Sequence, residues 1–182
     1  MPRFVTVFGG ASPTESDYNA ALRLGRLLGQ AGCSVLTGGY IGTMEAVSHG
    51  AAESGGHVIG VTCEEIETWR KVRPNRWIQE ERRFASLRER LYALIDGCQA
   101  AIALPGGPGT LAEIAVMWNN LLTNAITPRP LILVGPGWQE TFRQFYLSFD
   151  PYVPEQQRLW VTFATDVDSA VKQLFERLPD QP

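Results

Sequence analysis

Three clusters of glycine interrupt this 182-residue chain, and each has the composition that lets a backbone close around an anion. They are Gly9-Gly10-Ala11-Ser12, Gly38-Gly39-Tyr40-Ile41-Gly42-Thr43 and Pro105-Gly106-Gly107-Pro108-Gly109-Thr110. Glycine lets amides approach a ligand closely, and a helix beginning just after such a loop adds free N–H donors and a partial positive charge. A phosphate suits that chemistry. Gly10, Ser12, Gly38, Gly39, Gly42, Thr43, Gly106, Gly107, Gly109 and Thr110 are therefore candidate phosphate- or substrate-binding residues.

The rest of the ligand is narrowed by what the chain does not contain. A dinucleotide site calls for G-x-G-x-x-G after the first strand and an acidic residue after the second, where this chain has Gly38-Gly39. The G-x-x-x-x-G-K-[ST] pattern of ATP-hydrolysing loops is absent, and the only lysines are Lys71 and Lys172, so neither ATP hydrolysis nor a pyridoxal Schiff base is favoured. Two histidines, His49 and His57, and three scattered cysteines, Cys33, Cys63 and Cys98, make no metal-ligand spacing. Those cysteines read as reduced, structural and cytosolic. No cofactor and no metal are expected. A net charge of −3 argues against a nucleic-acid polymer as partner.

Something must hold the three loops together, and the apolar patterning says what. Short, nearly wholly apolar runs at Phe4 to Phe8, Ser34 to Thr37, Val58 to Val61, Ala100 to Leu104, Leu131 to Val134 and Trp160 to Phe163 predict strands buried on both faces. Helical patterns separate them: Ser16 to Ala31, closed by Gly32, then Met44 to Ser54, Arg82 to Gly97, Leu111 to Leu122, Trp138 to Phe149 and Thr165 to Arg177. Thr165 and Asp168 are spaced as a capping box for the last helix. Glu64 to Glu80 and Asp150 to Gln157 read as loosely structured. The alternation predicts an α/β fold: a doubly wound parallel sheet, Rossmann-like, with helices on both faces, forming one nucleotide-binding domain over residues 1–182. All three glycine clusters then fall along one sheet edge, the edge where ligands bind in such folds. The apolar run after Arg3 is too short for a signal peptide or membrane span, so a cytoplasmic protein with no membrane partner is expected.

Pro105-Gly106-Gly107-Pro108-Gly109-Thr110-Leu111-Ala112-Glu113 resembles the P-G-G-x-G-T-x-x-E signature of the LONELY GUY (LOG) family, also labelled lysine decarboxylase-like, at every fixed position. Gly38 to Met44 resembles that family's second glycine motif and Phe8 to Ser12 its first, so the similarity runs from Met1 to about Val134. Met44 joins the candidate binding residues on that ground. The resemblance implies a phosphoribohydrolase that splits cytokinin-type or other purine nucleoside 5'-monophosphates into free base and ribose 5-phosphate. By the same likeness Glu113 is the family's glutamate and Arg90 the arginine of its M-x-x-R-K motif. Leu87 replaces the methionine of that motif and Leu91 its lysine, and Arg88 is the alternative should the helix be shifted.

Breaking an N-glycosidic bond builds positive charge on the ribose and negative charge on the departing base, so a carboxylate and a cation are the groups required. Glu113 is expected to hold the ribose hydroxyls, steady the oxocarbenium-like state and orient water, with Arg90 facing the base or sugar. Ser12, the Thr110 hydroxyl and the amides of Gly107 to Thr110 are expected to fix the 5'-phosphate. The alternative is a carrier of a phosphorylated ligand such as molybdenum cofactor, which needs the same loops but no turnover. The family likeness also implies a homodimer, for which the helix around Trp118, Leu121 and Leu122 offers one contact face; a buried core helix explains those residues equally well.

Overall fold

The computed structural model describes residues 3–178. In chain order its strands are β1 (Arg3–Phe8), β2 (Cys33–Thr37), β3 (His57–Cys63), β4 (Glu80–Phe84), β5 (Ala100–Ala103), β6 (Leu131–Val134) and β7 (Thr162–Ala164). The helices are α1 (Glu15–Gln30), α2 (Thr43–Glu53), α3 (Glu64–Arg70), α4 (Leu87–Asp96), α5 (Pro108–Leu122), α6 (Pro136–Ser148), α7 (Glu155–Arg158) and α8 (Val167–Arg177), with one 3-10 turn at Asp150–Tyr152. Every strand pair is parallel, in the order β4-β3-β2-β1-β5-β6-β7. This is the α/β, Rossmann-like arrangement that the apolar runs predict.

Alternation along each strand divides the core in two. Val35 and Ile102 face the layer of α1, α2 and α8, while their neighbours Leu36 and Ala101 face the layer of α4, α5 and α6. The sheet winds outward from β1 to β4 and then returns to place β5 on the other side of β1. That reversal opens a crevice at the carboxyl ends of β1 and β5. Phe8 pairs with Ala103 there, and the Leu104 N–H donates to the Phe8 carbonyl at 2.9 Å. The first and third glycine clusters leave the sheet side by side.

Differences from the predicted elements have local causes. Arg82 to Phe84, expected to start a helix, belong instead to the strand Glu80–Phe84, because it pairs with β3 at the sheet margin, where charged residues can alternate outward. Helix α4 therefore begins later, at Leu87, behind a capping box in which Ser86 accepts from the Glu89 N–H at 3.2 Å and Glu89 accepts from the Ser86 N–H at 3.0 Å. The box on α8 is Asp166 with Ser169, one residue beyond the expected pair, and Asp168 instead takes Arg23 at 2.7 Å. The stretches expected to be loose contain α3, α7 and the 3-10 turn. Leu121 is buried and Trp118 packs edge-on to Phe145 and Tyr146, its indole N–H donating to the Gln157 carbonyl at 2.9 Å. Leu121 and Trp118 thus pack with the core under α6, as the core-helix alternative has it. No helix among the described residues is long and apolar enough to cross a membrane.

Candidate active site

Helix α5 carries an inward stripe of Thr110, Ile114, Met117 and Leu121, and Glu113 interrupts it. Helical periodicity thus sends a carboxyl where the pattern otherwise puts hydrocarbon. Glu113 is only 8% exposed, and no group among the described residues donates a hydrogen bond to it. Burial pushes its carboxyl up to about 7, against the opposing pull of the Arg90 charge. What exposure it keeps is toward a cleft of about 950 Å³.

Arg90 stands one turn into α4 and is equally buried. Its Nε donates to the Val61 carbonyl at 2.8 Å and its Nη2 to the Gly38 carbonyl at 3.1 Å, so β3 and the second glycine loop fix the guanidinium plane. Nη1 is left to face Glu113, 3.8 Å from Oε1. Tyr40 lies 5.7 Å beneath the guanidinium. Its hydroxyl is held by both the carbonyl and the N–H of Cys63, at 3.0 and 2.8 Å, and burial pushes that phenol up to about 12.

The three glycine loops have different jobs. In the third, Gly107 caps α5 without any side-chain hydrogen bond, and Pro108 opens the helix with no N–H of its own. The first-turn amides of Gly109 and Thr110 therefore have no intrahelical acceptor. A Cβ placed on Gly107 or Gly109 would meet nothing within 4 Å, so the fold itself does not require glycine there. The second loop is a brace. Its Thr43 gives both its N–H and its hydroxyl to the Gly10 carbonyl, at 3.0 and 3.1 Å, and a Cβ on Gly42 would sit 2.4 Å from that same oxygen.

Of the residues singled out from sequence, Gly10, Ser12, Met44, Arg90, Gly106, Gly107, Gly109, Thr110 and Glu113 line one cleft. Gly38, Gly39, Gly42 and Thr43 stand behind its wall, where they position Gly10 and Arg90. The Thr110 hydroxyl is tucked beneath Gly106, 2.2 Å from where a Cβ on that glycine would lie. Arg88 does not line the cleft. His49, stacked on Trp77 at 3.9 Å, and His57 also lie outside it. Sequence reasoning did not single out Tyr40, Ile66, Trp69 or Arg70, which line the same space. The spacing of Ile66 and Trp69, three apart within a polar stretch, was the available signal for α3. No group of three His, Cys, Asp or Glu side chains among the described residues could hold a metal ion.

A family model described as the SLOG cluster4 family matches residues 2–124, from β1 to just past α5. The chain belongs to the SLOG cluster4 family. This agrees with the motif-level likeness to LOG proteins, as does a relative from Oryza sativa subsp. japonica named probable cytokinin riboside 5'-monophosphate phosphoribohydrolase LOGL9. It is 31% identical over 188 residues, covering 97% of this SLOG chain and 79% of the relative. A pyrimidine/purine nucleotide 5'-monophosphate nucleosidase of Escherichia coli (strain K12) is 33% identical over 146 residues, 74% of this chain but only 31% of that protein. Among solved structures, the molybdenum cofactor carrier protein of Chlamydomonas reinhardtii superposes with a TM-score of 0.73 at 26% identity, covering 97% of this chain and 100% of that one. The chain is thus similar in sequence to proteins with the first kind of name and in fold to one with the second.

Proposed function

We propose that this protein hydrolyses the N-glycosidic bond of nucleoside 5'-monophosphates, releasing free base and ribose 5-phosphate. The observation that carries the reading is Glu113: a buried carboxyl without a hydrogen-bond donor, beside one oriented guanidinium, at the wall of a glycine-lined cleft. Buried carboxyls are ordinarily satisfied, and one left open toward a cleft marks a place where a ligand supplies the partner. Names of the rice and Escherichia coli relatives support the same reaction class.

In this mechanism the amides of Gly109 and Thr110, with Ser12, hold the phosphate, and that remote binding orients the sugar. The Glu113 carboxylate accepts hydrogen bonds from the ribose hydroxyls and faces the charge that grows on C1' as the bond to the base lengthens. The bonding pair leaves with the base nitrogen, water oxygen bonds to C1', and the proton lost by water balances the one the base takes up. Arg90 stabilises the negative charge on the departing side. We also propose a cytoplasmic homodimer, supported by the likeness to LOG proteins and tested by light scattering on the purified chain and by imaging of the tagged protein in cells.

The experiment incubates the protein with a panel of nucleoside 5'-monophosphates and detects free base by chromatography, alongside Glu113→Gln. Base release that the substitution abolishes is expected. A second reading, carriage of a phosphorylated pterin, is favoured by Leu91, which lines the cleft with an apolar side chain where the LOG motif has lysine. Tight pterin binding with no base released from any nucleotide would establish it instead.

A further inference from the structure

Helix α3 buries none of its residues, which is unusual for a helix with an apolar face. Ile66, Trp69 and Arg70 stand at positions i, i+3 and i+4, one side of the helix, and all three line the cleft. Trp69 is 74% exposed, and the Arg70 guanidinium lies 4.7 Å from the centre of its ring. The other sides of α3 are tied down. Glu65 accepts from the Leu87 N–H at 2.8 Å, and Glu67 accepts from Arg83 at 2.7 Å and from the Tyr40 hydroxyl at 3.4 Å. A helix anchored by its acidic residues thus turns its apolar stripe toward the ligand space rather than the core.

Its place in the sheet fits one part of a nucleotide. α3 follows β3, and β3 lies two strands from β1, about 10 Å along the sheet edge at the usual strand spacing. With phosphate at the glycine loops and ribose beside Glu113, the base extends from the sugar along the same cleft, whose wall on the α3 side is Ile66, Trp69 and Arg70. Among the side chains there, Trp69 offers a wide, flat face, and the Arg70 guanidinium against the ring restrains it.

We propose that Trp69, restrained by Arg70, is the platform on which the base stacks, so that it sets affinity for the base independently of the phosphate subsite. This rests on the nucleotide reading given above. Stacking needs only a π-face, so the contribution extends to every base and grows with ring area.

The test is calorimetric titration of AMP, UMP and ribose 5-phosphate into the parent, Trp69→Ala and Trp69→Phe, with steady-state kinetics on the two nucleotides. Trp69→Ala is expected to weaken AMP about tenfold and UMP less, with Trp69→Phe retaining most of the affinity. Ribose 5-phosphate is expected to bind all three alike, and turnover to fall through KM rather than kcat. Unchanged AMP affinity in Trp69→Ala, or an equal loss for ribose 5-phosphate, overturns the assignment of Trp69 while leaving hydrolysis standing. AMP that binds in a Trp69-dependent way, with no base released from any nucleotide of the panel, overturns hydrolysis alone. A parent that does not bind AMP overturns both.

Discussion

Arg90 approaches Glu113 through one guanidinium nitrogen at 3.8 Å, while two others are committed to the carbonyls of Val61 and Gly38. The pair is therefore held apart from full ion-pair contact by bonds made elsewhere. Glu113 feels the positive charge but receives no hydrogen bond from it, and burial wins. That balance sets the pH behaviour of the site.

With the Glu113 carboxyl raised from an ordinary 4.5 to about 7, the folded chain binds a proton there that the unfolded chain has released. The stability associated with it is present in full below 4.5 and is lost as pH rises through about 7, a change on the order of 3 kcal/mol. Glu113→Gln removes this dependence. Urea unfolding at pH 5 and pH 8 is expected to show the variant gaining on the parent at the higher pH, while base release disappears at both. A gap between variant and parent that does not widen with pH contradicts the burial argument.

Arg90→Met leaves two carbonyls and a buried carboxyl without their partner, so it is expected to destabilise the fold by about 3 kcal/mol in denaturant titration. If catalysis needs the Glu113 carboxylate, the parent's kcat/KM rises with pH around a midpoint near 7. Losing the cation moves residual activity to a higher midpoint, because a positive charge no longer favours the ionised form. Arg90→Lys is not expected to restore the parent profile, since one ammonium lacks the fork that reaches both carbonyls while facing Glu113.

Two glycines separate ligand space from structural space. Gly38→Ala places a methyl 2.0 Å from Arg90 Nη2 and is expected to lower stability and activity together. Gly107→Ala meets nothing within 4 Å and loses only the N-cap preference for glycine, so its unfolding free energy is expected within about 1 kcal/mol of the parent. Ribose 5-phosphate affinity, read by calorimetry, is nevertheless expected to drop, because the methyl intrudes on the proposed phosphate site. Equal affinity in Gly107→Ala removes that loop from phosphate binding.

Ser86→Ala deletes half of the capping box that starts α4, four residues before Arg90. A loss of about 1 kcal/mol is expected. Hydrogen exchange at the Glu89 amide, freed from its Ser86 acceptor, is the direct check.

Apolar runs such as Val58 to Val61 and Leu131 to Val134 were legible as strands because burial on both faces leaves no other composition. Glu80–Phe84 was not: a marginal strand needs an apolar partner on one side only, and Glu-Glu-Arg-Arg-Phe carries the charge pattern of a solvated helix. At the site, Glu113 and Arg90 were found through a motif and do meet, although 23 positions separate them in sequence. The bracing role of Gly38 to Thr43 was hidden, because it depends on Thr43 crossing to the Gly10 carbonyl. No local pattern encodes such a contact. Trp69 was overlooked for a related reason: a helix that buries nothing looks like a loop until the cleft is seen.

The two margins of the sheet have a bearing on self-association. β4 turns Glu81 and Arg83 outward, and β7 is only three residues long. Neither margin offers a second copy a long, neutral ribbon of free backbone groups, so continuation of the sheet from one molecule into the next is discouraged at both ends. Pairing between copies through side chains away from these margins would leave single substitutions free to tune it without opening a route to fibrils.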